Sequence, residues 1–210
     1  MCVLDPVKVT VTNIPEGEVV YFDVQNNPND PDAGTRKVPF TRTVCIERQD
    51  FMEEPIPKFF RLKPEGEVRL AGAYIVKCTG FTQDSDGKIT GIECEADLET
   101  GNGMPADGRK VKGTIHWVSA DINHRTTVMQ YDRLFTEANL QDLPDGKYYT
   151  DYLNPDSVKA FDAVAEIALK EAKPGDRFQF TRTGYYCADT KNENTFNSIV
   201  GLKDTFKKNV

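Results

Sequence analysis

Residues 108–119 read GRKVKGTIHWVS, and two kinds of information meet there. Arg109, Lys110 and Lys112 fall between Gly108 and Gly113, the composition of an exposed turn. From Thr114 the chain becomes β-rich and carries its only tryptophan, Trp117, beside one of its two histidines, His116. The local reading is a basic loop that runs into a core strand. Trp117 is expected to pack in that core.

Working outward, apolar residues alternate with a period of two. Val7, Val9 and Val11 share one face of PVKVTVTNI while Lys8, Thr10 and Thr12 share the other, as in a half-buried strand. The pattern recurs in EVVYFDV, TRTVCIE, EVRLAGAYIVKCTGF, KITGIECEAD, TTVMQYDRLF and DRFQFTRTGYYCAD. Turn clusters such as NNPNDPDAGT, KPEGE, DSDGK and DLPDGK separate them. Short punctuated strands of this kind predict an all-β fold of barrels or sandwiches. The most glycine- and proline-rich gap, ETGNGMPADG at 99–108, lies near the midpoint. It predicts two β modules, 1–106 and 107–210, with C-terminal strands of the second able to return to the first. Residues 157–175 conflict with the pattern, because Val158, Phe161, Val164, Ala165, Ala168 and Leu169 recur at helical spacing. Propensity alone predicts a helix of about 14 residues there.

A chain of 210 residues can bury a substantial core. Its net charge of −7 argues against a surface that grips nucleic acid everywhere, so any such contact must use a local patch. The five cysteines, Cys2, Cys45, Cys78, Cys94 and Cys187, include no C-x-x-C pair, which suggests isolated thiols in a reducing compartment and no metal site. The N-terminus lacks the charged and apolar regions of a signal peptide, and no apolar run approaches the roughly 18 residues of a membrane span. A cytoplasmic protein is expected.

Catalytic signatures are missing from the sequence: there is no Gly-rich phosphate loop, H-E-x-x-H or G-x-S-x-G. His116 lies mid-strand, where a packed or exposed structural histidine is the simpler reading than a general base. The chain by itself is not expected to be an enzyme. Binding is the better prospect, because cations cluster: Arg36, Lys37 and Arg42; then Lys58, Arg61 and Lys63 beside Phe59 and Phe60; then Arg109, Lys110 and Lys112; then Arg182 before Tyr185 and Tyr186. Such islands suit phosphates, with aromatics for unpaired bases. The plainer reading is strand-edge charge that discourages aggregation.

The ordered motifs DFMEEPIPKFFRL, ADGRKVKGTIHWVSA, YDRLF and KPGDRFQFTRTGYYCAD resemble the C-terminal anticodon-binding region of glutaminyl-tRNA synthetases, over essentially the whole chain. The resemblance implies two antiparallel β-barrels with short helical turns that hold the anticodon loop of tRNA-Gln. It also implies an upstream catalytic domain in the same polypeptide that uses ATP with magnesium to attach glutamine to tRNA. No cofactor is expected in this chain, nor a membrane, DNA or metal partner, and a monomer is expected. By position in the motifs, Arg42 and Gln179 match residues associated with the middle uridine. Arg109, Lys110 and Lys112 match the basic loop beside the anticodon, and Arg182 and Lys203 match further tRNA-facing cations.

Departures from the family pattern lie at Ala71 and Gly72, where an arginine and an asparagine are common, at Thr181 for an acid, and at Lys203 for an arginine. The aligned stretch of the family also predicts that FDAVAEI is extended and only ALKEA helical. Two rival readings stand beside this one. The first is the same module of an archaeal or eukaryotic type glutamyl-tRNA synthetase, and the second is a β-sandwich interaction protein without an RNA role.

Overall fold

The structure, a computed structural model, describes residues 1–202. It comprises two compact units, one of residues 1–126 with 163–172 and the other of 127–162 with 173 onward. The first contains β1 (Cys2–Val3), β2 (Pro6–Val11), β3 (Val19–Gln25), β4 (Thr35–Thr41), β5 (Thr43–Glu47), β6 (Glu67–Leu70), β7 (Ile75–Gln83), β8 (Ile89–Asp97), β9 (Thr114–Ile115) and β10 (Trp117–Ser119). Strands β11 (Asn123–Tyr131) and β12 (Val158–Glu166) straddle the division in sequence. The second unit holds β13 (Arg177–Phe180), β14 (Gly184–Ala188) and β15 (Thr195–Gly201). The all-β expectation holds, and among the described residues the only helical elements between strands are short 3-10 turns such as Ile167–Glu171.

In the first unit seven strands form a sheet in the order β10-β5-β2-β8-β7-β6-β9. Its two edge strands, β9 and β10, are separated in the chain by His116 alone. Thr114 and Ile115 pair with Arg69 and Leu70 on one edge, and Trp117 to Ser119 pair with Ile46 to Val44 on the other. The step at His116 therefore draws the edges together, and the sheet is a nearly closed barrel. Strand alternation lapses there as a result, since Ile115 through Ser119 are all buried. Trp117 is fully buried, as expected, with its ring 5.0 Å from Phe40 and its Nε1 donating to the Ala71 carbonyl at 3.0 Å.

The turn cluster at 99–108 lies inside the first unit, and GTIHWVS completes that unit's sheet instead of opening the next. The boundary by contact falls at 126/127, some 20 residues past the sequence-based line at 106/107. Turn composition marks where the chain reverses, while strand pairing decides which sheet it joins. Pairing is also mixed in direction. Most neighbours are antiparallel, but β2 with β8, β6 with β9 and β11 with β15 run parallel.

The remaining large sheet, six strands in the order β1-β12-β11-β15-β14-β13, is a half-barrel, and β15, β14 and β13 belong to the second unit. Its aromatic core has Phe180 stacked on Tyr186 at 4.3 Å, with Phe196 packed edge-on to Phe180. The helix that propensity predicts over 157–175 does not form. Residues 158–166 are strand β12, and the helical part is confined to 167–171, as the family pattern implies. Cys2 and Val3 pair with Ala165 and Val164, and Ala163, Val164 and Ala165 are consecutive and fully buried. Three successive buried residues suit a strand covered on both faces, and tertiary pairing outweighs a weak helical preference.

Glu47 is a buried charge at the barrel wall. It accepts from the backbone N–H of Leu4 at 2.8 Å and of Asp5 at 3.1 Å, and His116 Nε2 lies 3.4 Å from its Oε1. Burial alone would raise its pKa, but His116 and the two N–H donors together hold it below the usual carboxylate value. A lowered folded-state pKa stabilises the protein above the unfolded carboxylate's pKa, and that contribution is lost as pH falls through the folded value. Glu47→Gln puts an NH2 group against one of the two N–H donors. It is expected to cost about 1–3 kcal/mol at pH 7 and to flatten the acid limb of stability. Urea titrations from pH 7 down to pH 3 would show this as a smaller pH dependence in the variant.

Candidate functional site

Arg42 occupies the bend between β4 and β5. Its carbonyl accepts from Val11 N at 2.7 Å, and its Nη1 donates to the carbonyls of Ile14 at 2.7 Å and Thr12 at 3.2 Å. A guanidinium has five N–H donors, so anchoring at one nitrogen fixes the plane and leaves others for a ligand. The residue lines an open cleft of about 680 Å³ together with Thr10, Glu16, Glu18, Thr41 and Asp121. Three carboxylates against one cation would repel a phosphate. A neutral group that accepts hydrogen bonds fits that balance better.

The basic loop is divided in function by its neighbours. Arg109 donates from Nε to Glu67 at 3.1 Å, from Nη2 to Asp97 at 2.6 Å and from Nη1 to Asp107 at 2.9 Å. These pairs, with Asp97 and Glu67 foremost, push its pKa above the usual arginine value. A guanidinium held by three carboxylates ties the loop to the ends of β6 and β8, and a phosphate approaching it would meet net negative charge. Lys110 is exposed and makes no ion pair among the described residues. Lys112 is also exposed, its ammonium 5.4 Å from the centroid of the Phe60 ring, itself 54% exposed.

Gly113 explains how the 58–63 cluster reaches this loop. A Cβ at Gly113 would stand 2.3 Å from the Phe60 carbonyl oxygen, so only glycine permits the approach. Two islands about 50 residues apart in sequence thus join into one surface that presents Lys110, Lys112 and Phe60. Three other cations in the islands are committed internally. Arg36 pairs with buried Glu166 at 2.6 Å, Lys37 with Asp23 at 2.8 Å, and Arg61 with Asp50 at 3.2 Å.

Arg42 and Arg109 lie at linked strand ends. Arg42 holds the carbonyl of Ile14, Asn13 exchanges two hydrogen bonds with the backbone of Ala96, and the next residue, Asp97, holds Arg109. Both arginines therefore sit near the C-terminal ends of the parallel pair β2 and β8. In the second unit, Gln179 is exposed on β13, and Arg182 is exposed in the turn to β14 with a left-handed backbone (φ 64°). Lys203 lies outside the described residues. At the departures near residue 71, the Ala71 carbonyl accepts from Trp117 and Gly72 has φ 71°, so this pair makes the β6–β7 turn.

Sequence reasoning missed the carboxylates around Arg109, because Glu67 and Asp97 are remote in the chain and look like ordinary strand-surface acids. It also treated the thiols as isolated. Cys78 and Cys94 are direct cross-strand partners, both fully buried, and their contact favours ionisation of Cys78 at the expense of Cys94. Among the described residues, no group of three or more His, Cys, Asp or Glu side chains is disposed to hold a metal ion. No helix among them is long and apolar enough to cross a membrane.

Residues 1–97 and 114–189 each match a family described as the anticodon-binding domain of class I tRNA synthetases (E and Q). Over 99% of its length the chain is 49% identical to a glutamine–tRNA ligase of Rhodopirellula baltica and 46% identical to one of Vibrio vulnificus. It is 44% identical over 98% of its length to a glutamine–tRNA ligase of Pseudomonas syringae pv. tomato. The chain spans 35%, 38% and 37% of these relatives, a little over a third of each.

Proposed function

The chain belongs to the anticodon-binding family of class I glutamyl- and glutaminyl-tRNA synthetases, and on that premise we propose that it holds the anticodon loop of tRNA-Gln within a glutamine–tRNA ligase. The observation that carries this reading is the setting of Arg42. Its guanidinium is fixed by two backbone carbonyls and faces a cleft whose acidic frame disfavours phosphate and suits a neutral base edge. A uridine offers carbonyl acceptors to such a guanidinium. The glutamine reading, as against glutamate, rests on the names of the relatives.

On this reading Lys110 and Lys112 contact loop phosphates while Arg109 keeps their loop in place. Gln179 and Arg182 contribute from the second unit, and Lys203 is assigned a tRNA contact by its place in the motif. The chemistry belongs to a catalytic domain elsewhere in the parent polypeptide, which would use ATP with magnesium, in the cytoplasm and as a monomer.

Binding of a tRNA-Gln anticodon stem-loop, measured against salt concentration, tests the reading. The slope of log affinity against log salt is expected to fall by roughly 0.7 for each lysine when Lys110→Ala or Lys112→Ala removes a single-strand phosphate contact. Arg109→Ala is expected to change the slope less and to speed amide exchange between residues 97 and 112. Equal binding of stem-loops with unrelated anticodons by the unaltered chain would count against base recognition.

A further inference from the structure

The outer face of the second unit's sheet carries a row of side chains that packing does not use. Gln179 of β13 is the direct cross-strand partner of Tyr185 in β14, and Tyr185 is the partner of Val200 in β15. Residues in register across a sheet share a face, and all three are exposed, Tyr185 by 43% and Val200 by 57%. The opposite face is the aromatic core, where Tyr186 stacks on Phe180 and its hydroxyl accepts from Gln130 at 3.2 Å. Two consecutive tyrosines thus have different fates. Tyr186 is a core residue with a satisfied hydroxyl, whereas Tyr185 makes no hydrogen bond or ring contact among the described residues.

We infer that Tyr185 is a stacking platform for one unpaired nucleotide of the RNA loop, the nucleotide whose edge Gln179 reads. The inference rests on the reading of the chain as an anticodon-loop binder and adds to it a contact of different chemistry. Adjacent strands stand about 4.8 Å apart, so the row from Gln179 to Val200 spans about 10 Å, room for a single base laid on the sheet. Tyr185 offers a rigid aromatic face, and Val200 extends the apolar floor. The Gln179 amide carries both a donor and an acceptor, as recognition of a pyrimidine edge requires. Arg177, exposed on the same strand, and Arg182, exposed in the adjoining turn, supply positive charge at the rim for the flanking phosphates. A protein partner would use the apolar row but would have no need of an amide set between two cations.

A Cβ at Gly184 would stand 2.6 Å from the Val200 carbonyl oxygen, so only glycine fits there and β14 and β15 approach closely beside Tyr185. A tyrosine has only two side-chain torsions, so the ring loses little freedom when a base settles on it.

Stem-loop binding by Tyr185→Ala, Tyr185→Phe and Gln179→Ala tests the inference, using intact loops and loops with an abasic site at each anticodon position in turn. Tyr185→Ala is expected to weaken binding of the intact loop by about 5- to 150-fold. Tyr185→Phe, which keeps the ring, is expected to stay within about twofold of the unaltered chain. At one abasic position the Tyr185→Ala loss should disappear, and the Gln179→Ala loss should disappear at that same position. If the unaltered chain binds and distinguishes anticodons while Tyr185→Ala binds equally well, the platform is overturned and the anticodon reading stands. An equal loss on every abasic loop, or a loss in Tyr185→Phe as large as in Tyr185→Ala, would also overturn stacking. Failure of the unaltered chain to distinguish anticodons would overturn the reading beneath it. Circular dichroism of each variant, unchanged from the parent, excludes misfolding as the cause of a loss.

Discussion

Trp117→Ala is expected to cost about 3–5 kcal/mol of stability, the range for removing a fully buried aromatic side chain. Natural domains are stable by only about 5–15 kcal/mol, so a large share of the total would be lost. The position justifies the figure. The indole is fully buried, meets Phe40 edge-on, and holds the Ala71 carbonyl at the β6–β7 turn. It also begins the strand that pairs with β5, so its loss would loosen the place where the barrel's edges meet. Urea denaturation followed by circular dichroism measures the effect, since tryptophan emission is lost with the only tryptophan. Trp117→Phe separates the contributions, retaining most of the packing while leaving the Ala71 carbonyl without its donor, and a loss of about 1–3 kcal/mol is expected. A change below about 1 kcal/mol in Trp117→Ala would mean that barrel closure does not depend on this ring.

Arg42→Ala is expected to weaken stem-loop binding by roughly 10- to 150-fold, equivalent to about 1.5–3 kcal/mol for a hydrogen bond that involves a charged group. It should also narrow the preference for uridine over cytidine at the middle anticodon position. The residue has a second duty, because Nη1 anchors the 12–14 turn through two carbonyls. Arg42→Lys distinguishes the two. A single ammonium can satisfy the carbonyls or the ligand but lacks the planar fork that serves both, so discrimination should fall while stability changes little. Retention of full uridine preference by Arg42→Ala would remove base recognition from this cleft. The two substitutions are linked structurally, since Ser119 of β10 contacts Thr41 through their hydroxyls at 2.8 Å, and Ala120 N donates to the Thr43 carbonyl at 3.0 Å. The strand that Trp117 anchors thus braces the bend that carries Arg42.

Much of the candidate site was legible as residue types and little of it as geometry. The cation islands are plain in the sequence, but which cations remain available depends on carboxylates elsewhere. Arg36, Lys37, Arg61 and Arg109 all prove to be paired, through Glu166, Asp23, Asp50 and the trio of Glu67, Asp97 and Asp107. Lys110 and Lys112 were indistinguishable from Arg109 in the string GRKVK, yet they are the members of that loop that face solvent without a carboxylate partner among the described residues. Phe60 joined them only because Gly113 admits its backbone.

By itself the sequence determined most of the strands, the turns and the family. Each of these depends on local order: side chains alternate with the pleat, glycine and proline punctuate, and long motifs survive as strings. Only the tertiary structure decided how the strands pair. GTIHWVS serves both edges of one sheet, residues 158–166 are extended against β1 despite their helical preference, and Tyr185 faces outward while Tyr186 fills a core. The physical reason is the same in each case. Pairing and ion-pair energies depend on which remote segment arrives as neighbour, and a local pattern carries no record of that neighbour.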